Sequence, residues 1–83
     1  MGSKEKLIER FKRQPRNFTW QEFVRLFGSL GFELDNKGAS SGSRVAFLKG
    51  DLSFLAHKPH PDHYMKGYMM SRALKFLENN NLI

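Results

Sequence analysis

The chain contains no cysteine, which excludes disulfide staples and every cysteine-ligated zinc site. Proline is scarce, three in 83 residues, and two of the three fall within the single heptapeptide HKPHPDH at residues 57–63. Acidic residues are few, eight against fourteen lysines and arginines, for a formal net charge of +6. Such an excess attracts polyanions, nucleic acid foremost, although a solvated basic surface is the plainer account of the same numbers. No run of eighteen apolar residues occurs, and MGSKEKLIER has no signal-peptide core, so a soluble, cytoplasmic protein with no membrane contact is expected. Lys6 stands where a myristoylation signal requires serine or threonine.

What is present is aromatic. The length suits one domain spanning residues 1–83, and a chain this short buries only about 60% of its unfolded surface. Eight phenylalanines, one tryptophan and four methionines must therefore supply the packing that no crosslink provides.

Periodicity divides the chain into six elements. Leu7, Ile8 and Phe11 share one face of a short N-terminal helix at about 4–14, which Pro15 prevents from continuing. In FTWQEF, Thr19 and Glu22 form a capping-box pattern, with Phe18 and Phe23 placed as a hydrophobic staple. Trp20, Phe23, Val24, Phe27 and Leu30 then recur at helical spacing, and Gly31 offers a left-handed stop. That aromatic stripe is read as core.

Past Gly31 the period changes to two. FELD places Phe32 and Leu34 inward, RVAFL places Val45 and Phe47 on one face, and LSFLAH follows the KGD turn as a third strand. NKGASSGS, residues 36–43, is a glycine- and serine-rich loop, and the proline-interrupted KPHPDHYMKG is a second loop. A last helix after Gly67 carries Met69, Ala73, Phe76 and Leu77 inward and ends at the asparagines 79–81. The expected fold is α+β, ordered α-α-β-β-β-α, a three-stranded antiparallel meander with helices on one face.

The stretches FTWQEFVRLFGSLGFEL, GSRVAF, HKPHP and MKGY, taken in that order and spacing, resemble the HicA family of bacterial toxin–antitoxin ribonucleases. The resemblance implies a double-stranded-RNA-binding-domain-like fold, messenger-RNA cleavage and a HicB-like antitoxin as partner. The helix at about 4–14 is extra to the minimal family fold. His60-Pro61 matches the family's His-Pro after the third strand, and Gly67 matches the glycine before the last helix. One departure stands out: the family reads Gly-Ser-His where this chain reads Gly42-Ser43-Arg44, and that histidine is the one assigned to cleavage.

All three histidines lie in residues 57–63, and three accounts compete for them. A zinc site would need His57, His60 and His63 to converge, yet alternate residues of an extended loop point apart and the spacing fits no metalloprotease pattern. No metal and no cofactor is expected. Metal-free RNA cleavage needs a base for the 2′-OH, an acid for the departing 5′-oxygen and cations for the phosphate. Imidazole suits both proton roles, whereas arginine suits only the last. A neighbouring pair of strands joined at Lys49–Gly50–Asp51 would set Arg44 opposite His57, with His60 close by. His57 and His60 are therefore the catalytic candidates. Ser43, Arg44, Lys37, Lys58 and Lys66, on loops or strand ends, are the candidate RNA phosphate contacts, and Lys49 is similarly placed. Arg10, Lys12, Arg13 and Arg16 form a separate cluster whose default reading is a solvated helix face. The third account leaves the histidines merely shaping a loop, and for His63 it is the preferred one.

The leading expectation is a HicA-like toxin that binds and cleaves mRNA without a metal and is masked by a HicB-like antitoxin. The main alternative is a non-catalytic RNA-binding module in which Arg44 has replaced the catalytic histidine. A pure protein-interaction domain is a third class, and homodimer and toxin–antitoxin hetero-oligomer both remain open.

Overall fold

The computed structural model describes residues 3–35 and 44–83. Six elements follow in chain order: α1 (Ser3–Lys12), α2 (Trp20–Ser29), β1 (Glu33–Asp35), β2 (Arg44–Lys49), β3 (Leu52–His57) and α3 (Gly67–Asn79). The three strands form one antiparallel sheet in the order β1-β2-β3, and the fold is α+β as expected.

The capping box at α2 is complete. The Thr19 hydroxyl accepts from the Glu22 N–H at 3.1 Å, and the Glu22 carboxylate accepts from the Thr19 N–H at 2.9 Å. The same carboxylate receives Arg10 Nε at 2.9 Å, so the start of α2 is tied to α1. Arg10 also donates to the Asn17 carbonyl, which removes it from the freely solvated cluster expected around the first helix. Phe18 and Phe23 both pack on Phe11, at ring separations of 5.6 and 6.4 Å, so the staple closes through a third ring.

Two helices end in the same way. After α2, Gly31 takes φ +96°, its N–H donates to Gly28 O, and the Phe32 N–H reaches back to Phe27 O. This is a Schellman stop, completed by the 5.1 Å contact between the Phe27 and Phe32 rings. After α3, Asn81 takes φ +58° and the Leu82 N–H donates to Leu77 O, with Leu82 and Ile83 packed against the core as expected. The first helix ends earlier than the expected 14, at Lys12. Gln14, restricted by Pro15, turns left-handed at φ +53° and donates its side-chain amide to Phe11 O and Met70 O.

The core lies between the sheet and the helices. Phe47 and Phe54, register partners on β2 and β3, meet Phe23 and Phe27 from α2, while Phe76 from α3 reaches Phe54 at 5.1 Å. Two expectations shift in detail. Leu34 faces the helix side but is 45% exposed, because three-residue β1 is an edge strand. Leu26 and Met70, passed over in the sequence, are fully buried, whereas Phe76 is only partly buried.

Burial alone would raise the Glu22 carboxyl. The Arg10 hydrogen bond, the Thr19 N–H, the Arg10 charge and the Thr19 hydroxyl outweigh it, and the net shift is downward from 4.5. A depressed folded pKa contributes stability that is complete above the unfolded value and disappears as pH falls through the folded one. Glu22→Gln is expected to destabilise the protein at neutral pH, with the gap to wild type closing as pH falls below 4.5. Urea titrations across that range check it, and a gap independent of pH would refute it. Thr19→Ala is expected to cost about 1 kcal/mol in the same titrations through loss of the cap.

Candidate functional site

The β2–β3 hairpin determines where the candidate residues stand. Gly50 and Asp51 form a two-residue turn, with Gly50 at φ +55° and Asp51 not left-handed, the backbone pattern of a type II′ hairpin. The register that follows pairs Lys49 with Leu52 and runs without interruption to Arg44 opposite His57. The pairing expected from the sequence is therefore present. Both side chains belong to the sheet face turned away from the helices, since Phe47 and Phe54, an odd number of residues away, face the core.

Beyond His57 the chain leaves the sheet and passes through the two prolines. The loop is held at defined points. The His63 N–H donates to His60 O at 2.9 Å, which closes a turn, and the imidazoles of His60 and His63 meet edge to face at 5.6 Å. The Met65 N–H donates to Phe18 O at 2.8 Å, and the Met65 side chain, 4% exposed, is buried in the core. The loop is thus anchored to the segment that precedes α2.

This anchored loop forms a ridge between two grooves. The first, of about 540 Å³, is lined by His57, Lys58, His60, His63 and Lys66, with Tyr68 and Met69 from the start of α3. The second lies on the other side of the ridge, toward Thr19, Trp20 and Gln21 at the start of α2, and shares Lys58, His60 and His63 with the first. Both volumes are of the scale of small-ligand clefts, about 300–1,000 Å³. His57, Lys58, His60, His63 and Lys66 are all solvent-exposed, so each is accessible to a ligand. Lys66 is the N-cap of α3 and makes no side-chain capping bond, and the positive end of that helix opens at the first groove.

Four of the sequence candidates, His57, His60, Lys58 and Lys66, are brought together in one groove. Arg44 is not among the residues lining it. Its link to the groove runs through the cross-strand pairing with His57, so the expected grouping of Arg44 with both histidines is met only in part. Lys49 is committed elsewhere: its ammonium donates to Leu30 O at 2.6 Å and lies 5.9 Å from the Phe32 ring. It buttresses the end of α2 and is withdrawn from the phosphate contacts. Ser43 and Lys37 lie outside the described residues. Among the described residues no three histidine or acidic side chains converge as a metal-ligating group.

Tyr68 was not among the residues expected at the site, and His63, expected to shape the loop, lines both grooves. Tyr68 is 53% exposed and lines the first groove beside the histidines. The available signal was its position: one residue after Gly67, off the stripe of Met69 and Ala73 that faces the core.

The molecule is thus a small α+β protein with a basic, histidine-bearing groove beside its sheet. The family described as the HicA toxin of bacterial toxin-antitoxin matches residues 20–78, and the chain belongs to it. That match spans the chain from the first turn of α2 to near the end of α3 and leaves α1 outside. No curated protein and no solved structure matches the chain.

Met65→Ala is expected to lower stability by about 2–5 kcal/mol through loss of a buried side chain. It should also speed amide exchange at His63, whose loop Met65 anchors. Exchange at His63 equal to wild type would show that the turn is held without this anchor.

Proposed function

We propose that this HicA-family toxin binds messenger RNA at the first groove and cleaves it without a metal, and that a HicB-like antitoxin neutralises it by covering that groove. The observation that carries the reading is the placement of His57 and His60 along one groove with Lys58 and Lys66. One imidazole takes the proton of a ribose 2′-OH, whose oxygen attacks the adjacent phosphorus. The other, protonated, gives its proton to the departing 5′-oxygen. The products are a 2′,3′-cyclic phosphate and a 5′-hydroxyl, and no atom from a cofactor enters the balance. Lys58, Lys66 and the uncapped start of α3 offset the charge that gathers on the phosphate oxygens.

Arg44 takes a different part. A guanidinium has donors and no acceptor, so Arg44 cannot replace a histidine base, but on the strand opposite His57 it is suited to fork onto a neighbouring phosphate. Tyr68 offers an exposed ring on which a base can stack. The RNA substrate places the activity in the cytoplasm. Among the described residues no helix is long and apolar enough to cross a membrane.

One observation favours a second reading. Arg44 occupies the place of the family's cleavage-assigned histidine and does not line the groove, as it would in a module that keeps RNA affinity and has lost the chemistry. The two readings separate in one assay, with purified protein and labelled RNA in the presence of a chelator. The toxin reading expects cleavage, and expects His57→Ala or His60→Ala to slow it by about 10²–10⁴-fold while binding persists. Full cleavage by both variants would remove these histidines from the reaction. Binding with no cleavage by the wild type would establish the passive module.

A further inference from the structure

We propose that the outer edge of β3 is a strand-accepting surface, and that an extended protein segment alternating acidic and apolar residues pairs with it. This rests in part on the reading above, because the segment it describes is the one through which the antitoxin would reach the histidine groove.

The two edges of the sheet are built differently. β1 is three residues long and carries Glu33 and Asp35, the short and charged form that discourages pairing with another chain. β3 is twice as long. Its sequence, LSFLAH, holds no lysine, arginine, acid or proline, and on its outer side it has no neighbouring strand among the described residues. An edge of that length without such protection is a template for another strand.

The hairpin decides which main-chain groups are available. In a two-residue hairpin the pair flanking the turn is hydrogen-bonded and the ladder then alternates. Lys49–Leu52, Phe47–Phe54 and Val45–Ala56 are therefore the bonded pairs. The N–H and C=O groups of Ser53, Leu55 and His57 point to the free edge.

The walls beside that edge specify the occupant. A groove there is lined by Ser53, Phe54, Leu55, Arg72, Lys75 and Phe76, two of which are cations and none acidic. The Arg72 guanidinium lies 5.9 Å from the Phe54 ring, so its charge is held against the edge. On the other face of the sheet Leu55 is 53% exposed, next to its register partner Ala46. An incoming strand sends alternate side chains to these two faces. Its acidic residues would meet Arg72 and Lys75, and its apolar residues would cover Leu55.

The edge also has a direction that bears on function. It begins beside the turn at Leu52 and ends at His57, which is itself a wall of the histidine groove. A segment laid along all six residues, roughly 20 Å at the rise of a strand, arrives at that rim. Strand addition would thus bring the partner over the site it must mask, with no contact to the groove floor needed for affinity.

The test uses the full chain and a capped heptapeptide of alternating glutamate and valine, with a twin methylated at every backbone nitrogen. Addition of the unmethylated peptide should slow amide exchange at Ser53, Leu55 and His57. The amides of Phe54 and Ala56, already bonded to β2, should not change. The methylated twin should not bind, and Arg72→Glu with Lys75→Glu, folded by circular dichroism, should weaken the peptide by about tenfold or more. The proposal is overturned by peptide binding that leaves those three amides unchanged, by equal binding of the twin, or by no binding. Concentration-dependent protection of the same amides in the chain alone would assign the edge to a second copy, and would also overturn it. The exchange readout requires no RNA: a wild-type chain that protects these amides yet cuts no RNA rejects the ribonuclease and retains the edge.

Discussion

Phe27 is the residue on which the arrangement turns. Its ring stacks on Phe47 at 4.5 Å and on Phe54 at 5.4 Å, and it also touches Phe23 and Phe32. One side chain thus joins α2 to the two longer strands and to the entry of the first. Because Phe47 and Phe54 must both face it, the register of the β2–β3 hairpin is fixed. A slip of one residue would put the two rings on opposite faces of the sheet and turn one of them into solvent. The pairing of Arg44 with His57, at the far end of the same ladder, follows from this packing constraint.

The second constraint acts on the loop that follows. A segment with two prolines and three histidines has little capacity to bury itself, and an exposed loop of this composition would ordinarily sample many shapes. Here it is held at both ends, by β3 at His57 and by Met65 inserted in the core with its N–H on Phe18 O. Phe18 is in turn positioned by the capping box of α2 and by Phe11 from α1. The helix outside the family match therefore contributes to the placement of the loop within it. The prolines limit the remaining freedom, and the histidines stand on a ridge that two grooves share.

The surface divides accordingly. The helices cover one face of the sheet, leaving the opposite face, the β3 edge and the ridge accessible. The +6 charge is not spread evenly over these functions: Arg10 and Lys49 serve structure, through Glu22 and the Leu30 carbonyl, while Lys58 and Lys66 line the candidate groove. Counting cations in the sequence could not separate the two groups, since the partner that engages each one is twelve or nineteen residues distant.

Local signals were legible in the sequence because they are local. Thr19 and Glu22 are three residues apart, Gly31 follows the last apolar residue of its helix, and the KGD turn joins its own two strands. Each depends on backbone chemistry within one turn, and the family resemblance added the order of elements. The meeting of distant segments was decided by packing. Arg44 stops short of the groove, Tyr68 enters it, Leu34 lies exposed on an edge and Met70 is buried, all because the position of one element against another is settled by which aromatic rings fill the core. Sequence determined which pieces form and in what order. Tertiary structure alone decided which of their polar groups share a wall, because that depends on contacts between residues whose separation along the chain carries no periodic trace.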